Sequence, residues 1–316
     1  MLNYALRRLL DLLVVLFGVS VLVFLMIRLI PGDAVQILLG ANTEVTPEQI
    51  TELRGKLGLD QPLLTQYAGW LSAALRGNLG QSVWTGAPVS GEILSRLPVT
   101  LELTVLPLLL ATTLAVPLGM LTAASHNSRL EQVIRFFTIA GITTPAFWLG
   151  TLFIYLAFVI APGWPTIGYV PFRDDPAGHL SRMILPTVAL ALPMLAGLVR
   201  ILRSSLLEVL GQDFIRTARS KGLTERSVLY RHALRNAMVP LLTVLGIQAG
   251  YLFGGAIVVE QVFAIPGFGR LVVGAINERN YALVQGAILI VTAGFVLINF
   301  VVDLLYAVVD PRVEYG

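Results

Sequence analysis

The sequence predicts an all-α integral membrane protein of six transmembrane helices, with a small helical insertion between the first and second. Three observations carry that reading. Of 316 residues, 56% are hydrophobic and only 13% charged, about half the charge of an ordinary soluble domain. The apolar residues fall into six runs, each near the length of about 20 residues that crosses a hydrocarbon core of roughly 30 Å. The basic residues gather in alternate connections, as orientation signals do.

The first run spans about Asp11 to Ile30 after Arg7 and Arg8, and Pro31-Gly32 ends it. It is too long for the core of a signal peptide and no small-residue cleavage site follows, so it reads as an uncleaved first helix in the region 1–30. The more polar segment 31–97 carries helix signals of its own. Thr46, Pro47 and Gln49 suit a cap, a first-turn proline and a capping box, with Ile50, Leu53 and Leu57 on one face before Gly58. A second stretch sets Leu63, Tyr67, Trp70, Leu71 and Ala74 at helical spacing before Gly77. Together they read as a small helical cap on the outer surface.

Five further runs occupy roughly 98–124, 136–161, 184–202, 239–258 and 284–308, within a core region 98–316. Pro107, Pro117, Pro145 and Pro193 lie within them and read as kinks, which neighbouring helices make tolerable. Arg7, Arg8, Arg129, Arg135 and the basic stretch from Arg200 to Arg235 share one side, which places both termini in the cytoplasm. Glu102 and Asp303 fall near helix ends, where an interfacial position is expected. Gln248, Gln285 and Asn299 are amides of the kind that bridge helices, with Gln248 and Asn299 assigned to the bundle interior. Tyr67, Trp70, Trp148, Trp164 and Tyr169 fit the aromatic belts of a membrane interface.

The connection from Ser204 to Pro240 is too patterned to be a mere link. Leu206, Leu210, Phe214 and Ala218 recur every fourth residue, so one helix with an apolar stripe is expected, ended by Gly222 in a left-handed cap. Thr224 is placed to cap a second helix, with Glu225 in its first turn. A helix, a glycine turn and a helix, rimmed with arginine, have the shape of a knob for a partner's groove.

This stretch resembles the EAA loop of ABC-importer permeases. RTARSKG (Arg216–Gly222) and HALRNAMVP (His232–Pro240) are similar to the version in the dipeptide and oligopeptide (and nickel) importer branch. Arg216 stands where the general pattern has glutamate, and the spacer from Gly222 to Pro240 is longer, both as in the peptide branch. The resemblance covers almost the whole chain. RGNLGQS (Arg76–Ser82, with Asn78 at a position more often aspartate), RLPVTLEL (Arg96–Leu103), VEQVFAIPGFGRL (Val259–Leu271), RNY (Arg279–Tyr281) and the closing DPRVEYG are similar to motifs of that branch.

The resemblance implies the type I ABC-importer permease fold and a bacterial or archaeal inner-membrane location. It implies a coupling loop, 204–240, whose Asp213, Phe214, Arg216, Ala218, Arg219, Lys221, Gly222, Leu223 and Pro240 engage an ATPase. Its further implications are a second, homologous permease subunit, two ATP-binding subunits and an external substrate-binding protein, with peptides as cargo and nickel chelates or glutathione as alternatives. Phe263, Pro266, Gly267 and Phe268 are candidates for the outer end of the pathway, through a Pro266-Gly267 reversal under the membrane surface.

Other classes fit less well. The only lysines, Lys56 and Lys221, do not end a phosphate-binding loop, so ATP and its magnesium belong to the partner subunits and this chain binds no cofactor. Cysteine is absent and His126, His179 and His232 lie far apart, so no metal spacing exists. An intramembrane enzyme lacks a nucleophile–base pair, and an ion-coupled transporter lacks a central ionisable pair and an internal repeat. The bases lie beside spans without interleaved aromatics, which speaks against nucleic acid.

Overall fold

The computed structural model describes residues 2–29, 60–82 and 84–309. Its helices, numbered among those residues, are α1 (Leu2–Leu29), α2 (Leu63–Leu75), α3 (Val89–Ala124), α4 (Arg129–Thr143), α5 (Ala146–Ile160), α6 (Pro176–Leu210), α7 (Asp213–Ser220), α8 (Glu225–Ser227), α9 (Leu234–Gly255), α10 (Ile257–Val262), α11 (Phe268–Asn277) and α12 (Tyr281–Val309), with a π-helical turn over Val228–Ala233. The helix expected around Thr46–Gly58, the side chain of Asp303 and the closing DPRVEYG lie outside the described residues.

Among the described residues, five helical stretches are long and apolar enough to cross a membrane: α1, α3, α6, Glu225–Phe253 and α12. The sixth is α4 with α5, taken as one span broken by a bend of 103°. The apolar run 136–161 therefore does not form the single kinked helix expected of it. Proline sterics drive Thr144 out of the helical region, to φ −92° and ψ 121°, and Pro145 follows at ψ 140°.

A second departure is the start of α3, at Val89. Residues 89–97 look polar on average because Glu92 and Arg96 lie among them. Yet Val89, Ile93 and Leu97 are spaced by four, and the first two are wholly buried. At 35 residues and about 1.5 Å per residue, α6 exceeds the hydrocarbon thickness at one or both ends. Asp175 caps it, its Oδ1 accepting from Gly178 N at 2.9 Å, with Pro176 in the first turn.

The chain divides into two compact units. The first comprises Val99–Pro266 with Leu297–Gly316, the second Leu2–Pro98 with Gly267–Val296. In the first unit α6 is central, with α4, α5 and α9 packed on it and Met183, Met194, Leu198, Leu202 and Leu206 in the core. Gly119 on α3 allows close approach, since a Cβ there would lie 2.8 Å from Leu202 Cδ2. The second unit centres on Val89, Ile93, Phe268, Leu283 and Ala287. There Gln285 bridges helices as expected, donating from Nε2 to the Val23 carbonyl at 2.9 Å.

Candidate functional site

The Ser204–Pro240 connection does not form one helix with a four-residue stripe. α6 ends at Leu210, Gly211 and Gln212 turn the chain, and α7 starts afresh at Asp213. The break shifts the helical phase: Ile215 and Ala218 are buried, while Phe214 is 41% exposed. The inner face of α7 rests on the π-helical turn, whose Val228 and Ala233 are fully buried. Ala218 packs on its own chain and is 6% exposed.

Gly222 behaves as the sequence suggested. Its φ of +77° is the left-handed conformation that glycine adopts without a steric penalty, and the space beside it is open. Gly222 N donates to Arg219 O at 2.9 Å and Leu223 N to Ala218 O at 3.4 Å, closing α7. Across the turn Arg219 forks onto Glu225, Nε to Oε1 at 2.8 Å and a terminal nitrogen to Oε2 at 3.2 Å. That hydrogen bond holds the Arg219 guanidinium charged, raising its pKa above the usual arginine value. Thr224 accepts from Ser227 N at 3.4 Å as the next cap. Asp213 and Arg216 pair at 3.3 Å in nearly full exposure. The outcome is a closed turn on which Phe214, Leu223, Arg216, Arg219 and Lys221 are all exposed. Pro240 is not part of it: it lies inside α9, beyond the π-helical turn, with its ring exposed.

The second motif segment, Val259–Leu271, reverses at a different place from the one expected. Ala264, not Pro266-Gly267, takes the left-handed conformation, with φ +53°. Ala264 N bonds Gln261 O at 3.2 Å and Ile265 N bonds Glu260 O at 2.8 Å, the pair of bonds that ends a helix in a Schellman turn. Pro266 follows, and Gly267, extended at φ −86° and ψ 178°, caps α11. Phe263 is fully buried, its ring against Gly150, and its carbonyl accepts from Gly168 N at 2.8 Å. Phe263 belongs to the core of the first unit and Phe268, 2% exposed, to that of the second. Gln248 on α9 and Asn299 on α12 are half-buried.

The structure brings together residues that the sequence kept apart. Glu102 has partners from distant parts of the chain: its carboxylate meets His179 Nε2 at 2.6 Å and accepts from Tyr169 OH at 3.2 Å. His179 Nδ1 lies 2.7 Å from the Val170 carbonyl. A carbonyl only accepts, so Nδ1 carries hydrogen, and Nε2 and Glu102 share one further proton. Burial and the neighbouring Glu102 push the Tyr169 hydroxyl up to about 12. Glu260, fully buried, accepts from Thr100 Oγ1 at 2.7 Å. Glu131, also buried, pairs with Arg203 and accepts from Asn127 N at the start of α4. The S-x-x-E pattern at Ser128–Glu131 was a readable sign of that cap. In the second unit the RGNLGQS and RNY motifs meet, Asn280 Nδ2 donating to Ser82 Oγ at 2.7 Å.

This arrangement of spans and an exposed helix-turn can be set beside known proteins. The family model described as "Binding-protein-dependent transport system inner membrane component" matches residues 115–315, and its N-terminal companion matches 1–104. The chain belongs to this family. The permease is 41% identical to a probable peptide ABC transporter permease of Sinorhizobium fredii, over 99% of both chains. It is 42% identical to a putative peptide transport system permease of Brucella suis, over 98% of each. It is also 41% identical to the glutathione transport system permease GsiC of Escherichia coli, over the full length of both. Among solved structures it resembles a chain of the inward-facing MetNI methionine ABC transporter, with a TM-score of 0.54 and 21% identity over 69% of this chain and 96% of that one. That likeness establishes the fold. The permease is therefore a multi-pass inner-membrane component of an ABC importer, a system that works with ATPase and binding-protein partners.

Proposed function

We propose that the permease forms half of a pathway that imports di- or oligopeptides, and that its α7–Gly222–α8 turn receives the motion of an ATPase. The exposed turn carries this reading: Phe214 and Leu223 are apolar and exposed on a segment that also exposes Arg216, Arg219 and Lys221. Such a surface suits an apolar cleft with an acidic rim. The peptide permeases among its relatives support the cargo. A second reading, import of glutathione, is favoured by the 41% identity to GsiC; glutathione is itself a small peptide, so the two differ in cargo size rather than in chemistry.

In this reading both termini face the cytoplasm, since the bases beside the spans cluster on the side that holds α7. A second, homologous permease completes the pathway, and two ATPase subunits each take one such turn. ATP and magnesium bind to those subunits, and this chain holds no cofactor. Closure of the ATPase pair draws the turns together and rocks the spans from inward-open to outward-open. A binding protein then delivers cargo at the opposite face.

A cysteine at Arg219 is expected to cross-link to the ATPase subunit in the assembled complex. Gly222→Pro is expected to leave the complex assembled while ATP hydrolysis no longer drives uptake. Normal uptake by that variant would sink the docking role. Uptake of labelled dipeptides, longer peptides and glutathione in competition separates the two cargo readings.

A further inference from the structure

The helix α2 lies in the segment expected to cap the outer surface, yet it has no charged side chain from Leu63 to Leu75. Its residues sort into three strips around the helix at about 100° per residue. Gln66, Tyr67 and Trp70 face α1. Thr65 and Ser72 form a narrow polar strip. Leu64, Ala68, Leu71 and Leu75 form a second apolar stripe, and among the described residues Leu64 and Leu75 are 79% and 81% exposed.

The contacts with α1 give that stripe a direction. Gln66 Oε1 accepts from Arg28 at 2.6 Å. Trp70 meets Phe24 at a tilt of 47°, with centroids 5.7 Å apart. Tyr67, the next strip round, touches Phe24, meets Phe17 edge-on and hydrogen-bonds Ser20 through its hydroxyl at 2.7 Å. Turning from Gln66 through Trp70 to Tyr67, the partner on α1 thus moves from residue 28 to 24 and on to 20 and 17. The Leu64–Leu75 stripe lies further round in the same sense, so it points along α1 toward the middle of its apolar stretch, Leu9–Met26. Leu13, Val14 and Phe17 of α1, in that part of its apolar stretch, are themselves exposed.

We infer that α2 is an interfacial helix lying in the headgroup boundary at the C-terminal end of α1, with its Leu64–Ala68–Leu71–Leu75 stripe seated in the acyl chains of that leaflet. The architecture is that of an amphipathic helix held in the plane of the interface. Trp70 and Tyr67 sit at the level where such rings are favoured, and Arg28 marks the polar boundary above them. A water-soluble partner does not reach a surface aimed into the hydrocarbon. The inference needs only that α1 crosses the membrane, and it holds for either orientation of the chain.

The native chain has no cysteine, which makes the test direct. Single variants Leu64→Cys, Ala68→Cys and Leu75→Cys carry a nitroxide, with Thr65→Cys and Ser72→Cys on the neighbouring polar strip for comparison. The transporter complex, purified through this chain, is reconstituted in phospholipid nanodiscs and probed by relaxation with oxygen, which partitions into lipid, and with a water-soluble nickel chelate. Oxygen collisions are expected to exceed nickel collisions severalfold at 64, 68 and 75, with the order reversed at 65 and 72. Nickel-dominated relaxation at 64 and 75 would place the stripe in water and overturn the proposal. Low accessibility to both probes there would place it under another protein and overturn it equally.

Discussion

The two motif segments of the permease are built on the same turn and use it in opposite ways. At Gly222 and at Ala264 a helix ends on a left-handed residue, with φ +77° and +53°. Around Gly222 the space is open and the flanking apolar residues, Phe214 and Leu223, are 41% and 38% exposed. Around Ala264 the flanking residues, Phe263 and Ile265, are fully buried. The first turn is complete in itself and offers its apolar side chains outward; the second spends them on its own core. Two motifs shared with one family thus differ in burial: one leaves its apolar side chains exposed and the other packs them.

The contrast is broken most severely at the phenylalanines. Phe263→Ala opens a cavity beside Gly150 and is expected to cost about 3–5 kcal/mol, as other large buried rings do, seen as a lower unfolding temperature of the purified permease. Phe214→Ala is expected to leave that temperature unchanged and to lower uptake per ATP hydrolysed. Equal melting of the two variants would end the distinction between the segments. Next come the turn residues themselves, with opposite signs. Gly222→Ala forces a β-carbon into the left-handed region, at a cost of about 1–2 kcal/mol. Ala264→Gly removes that same strain and is expected to be neutral or stabilising by up to about 1 kcal/mol, the gain reduced by the greater freedom of glycine in the unfolded chain. Denaturation of the two variants in parallel checks the signs.

Much of this was legible in the sequence, and the failures have physical causes. Apolar runs announce spans because nothing else in a chain requires 20 residues without charge. Gly222 announces a turn because few other residues accept its conformation, and Thr224 a cap because its hydroxyl can accept a first-turn N–H. The phase of α7 was hidden by Gly211, which stops α6 and lets the next helix bury Ile215 in place of Phe214. The reversal at Ala264 was hidden by Pro266-Gly267, a stronger turn signal that caps α11 instead. The bend at Pro145 was visible as a residue but not as an angle, since a proline is also compatible with an unbroken helix, as Pro186 and Pro193 inside α6 show. The Glu102–His179 pair was invisible because its members lie on different helices and neither carries a local pattern.

The smallest effect concerns the fork between Arg219 and Glu225. Both groups are largely exposed, so water and salt screen their attraction and Arg219→Ala is expected to leave the unfolding temperature unchanged. Its consequence lies in shape. The planar guanidinium grips both carboxylate oxygens and spans Gly222, the residue with the greatest backbone freedom in the turn, so its loss lets α7 swing relative to α8. Lysine supplies the charge without the fork. Coupling, read as substrate imported per ATP hydrolysed, is therefore expected to fall in Arg219→Lys nearly as far as in Arg219→Ala. Raising the salt concentration is expected to lower coupling in the parent and to change it little in either variant, because only the parent has a fork to screen. A lysine variant that couples like the parent would show that charge alone suffices and that the turn is held by its backbone.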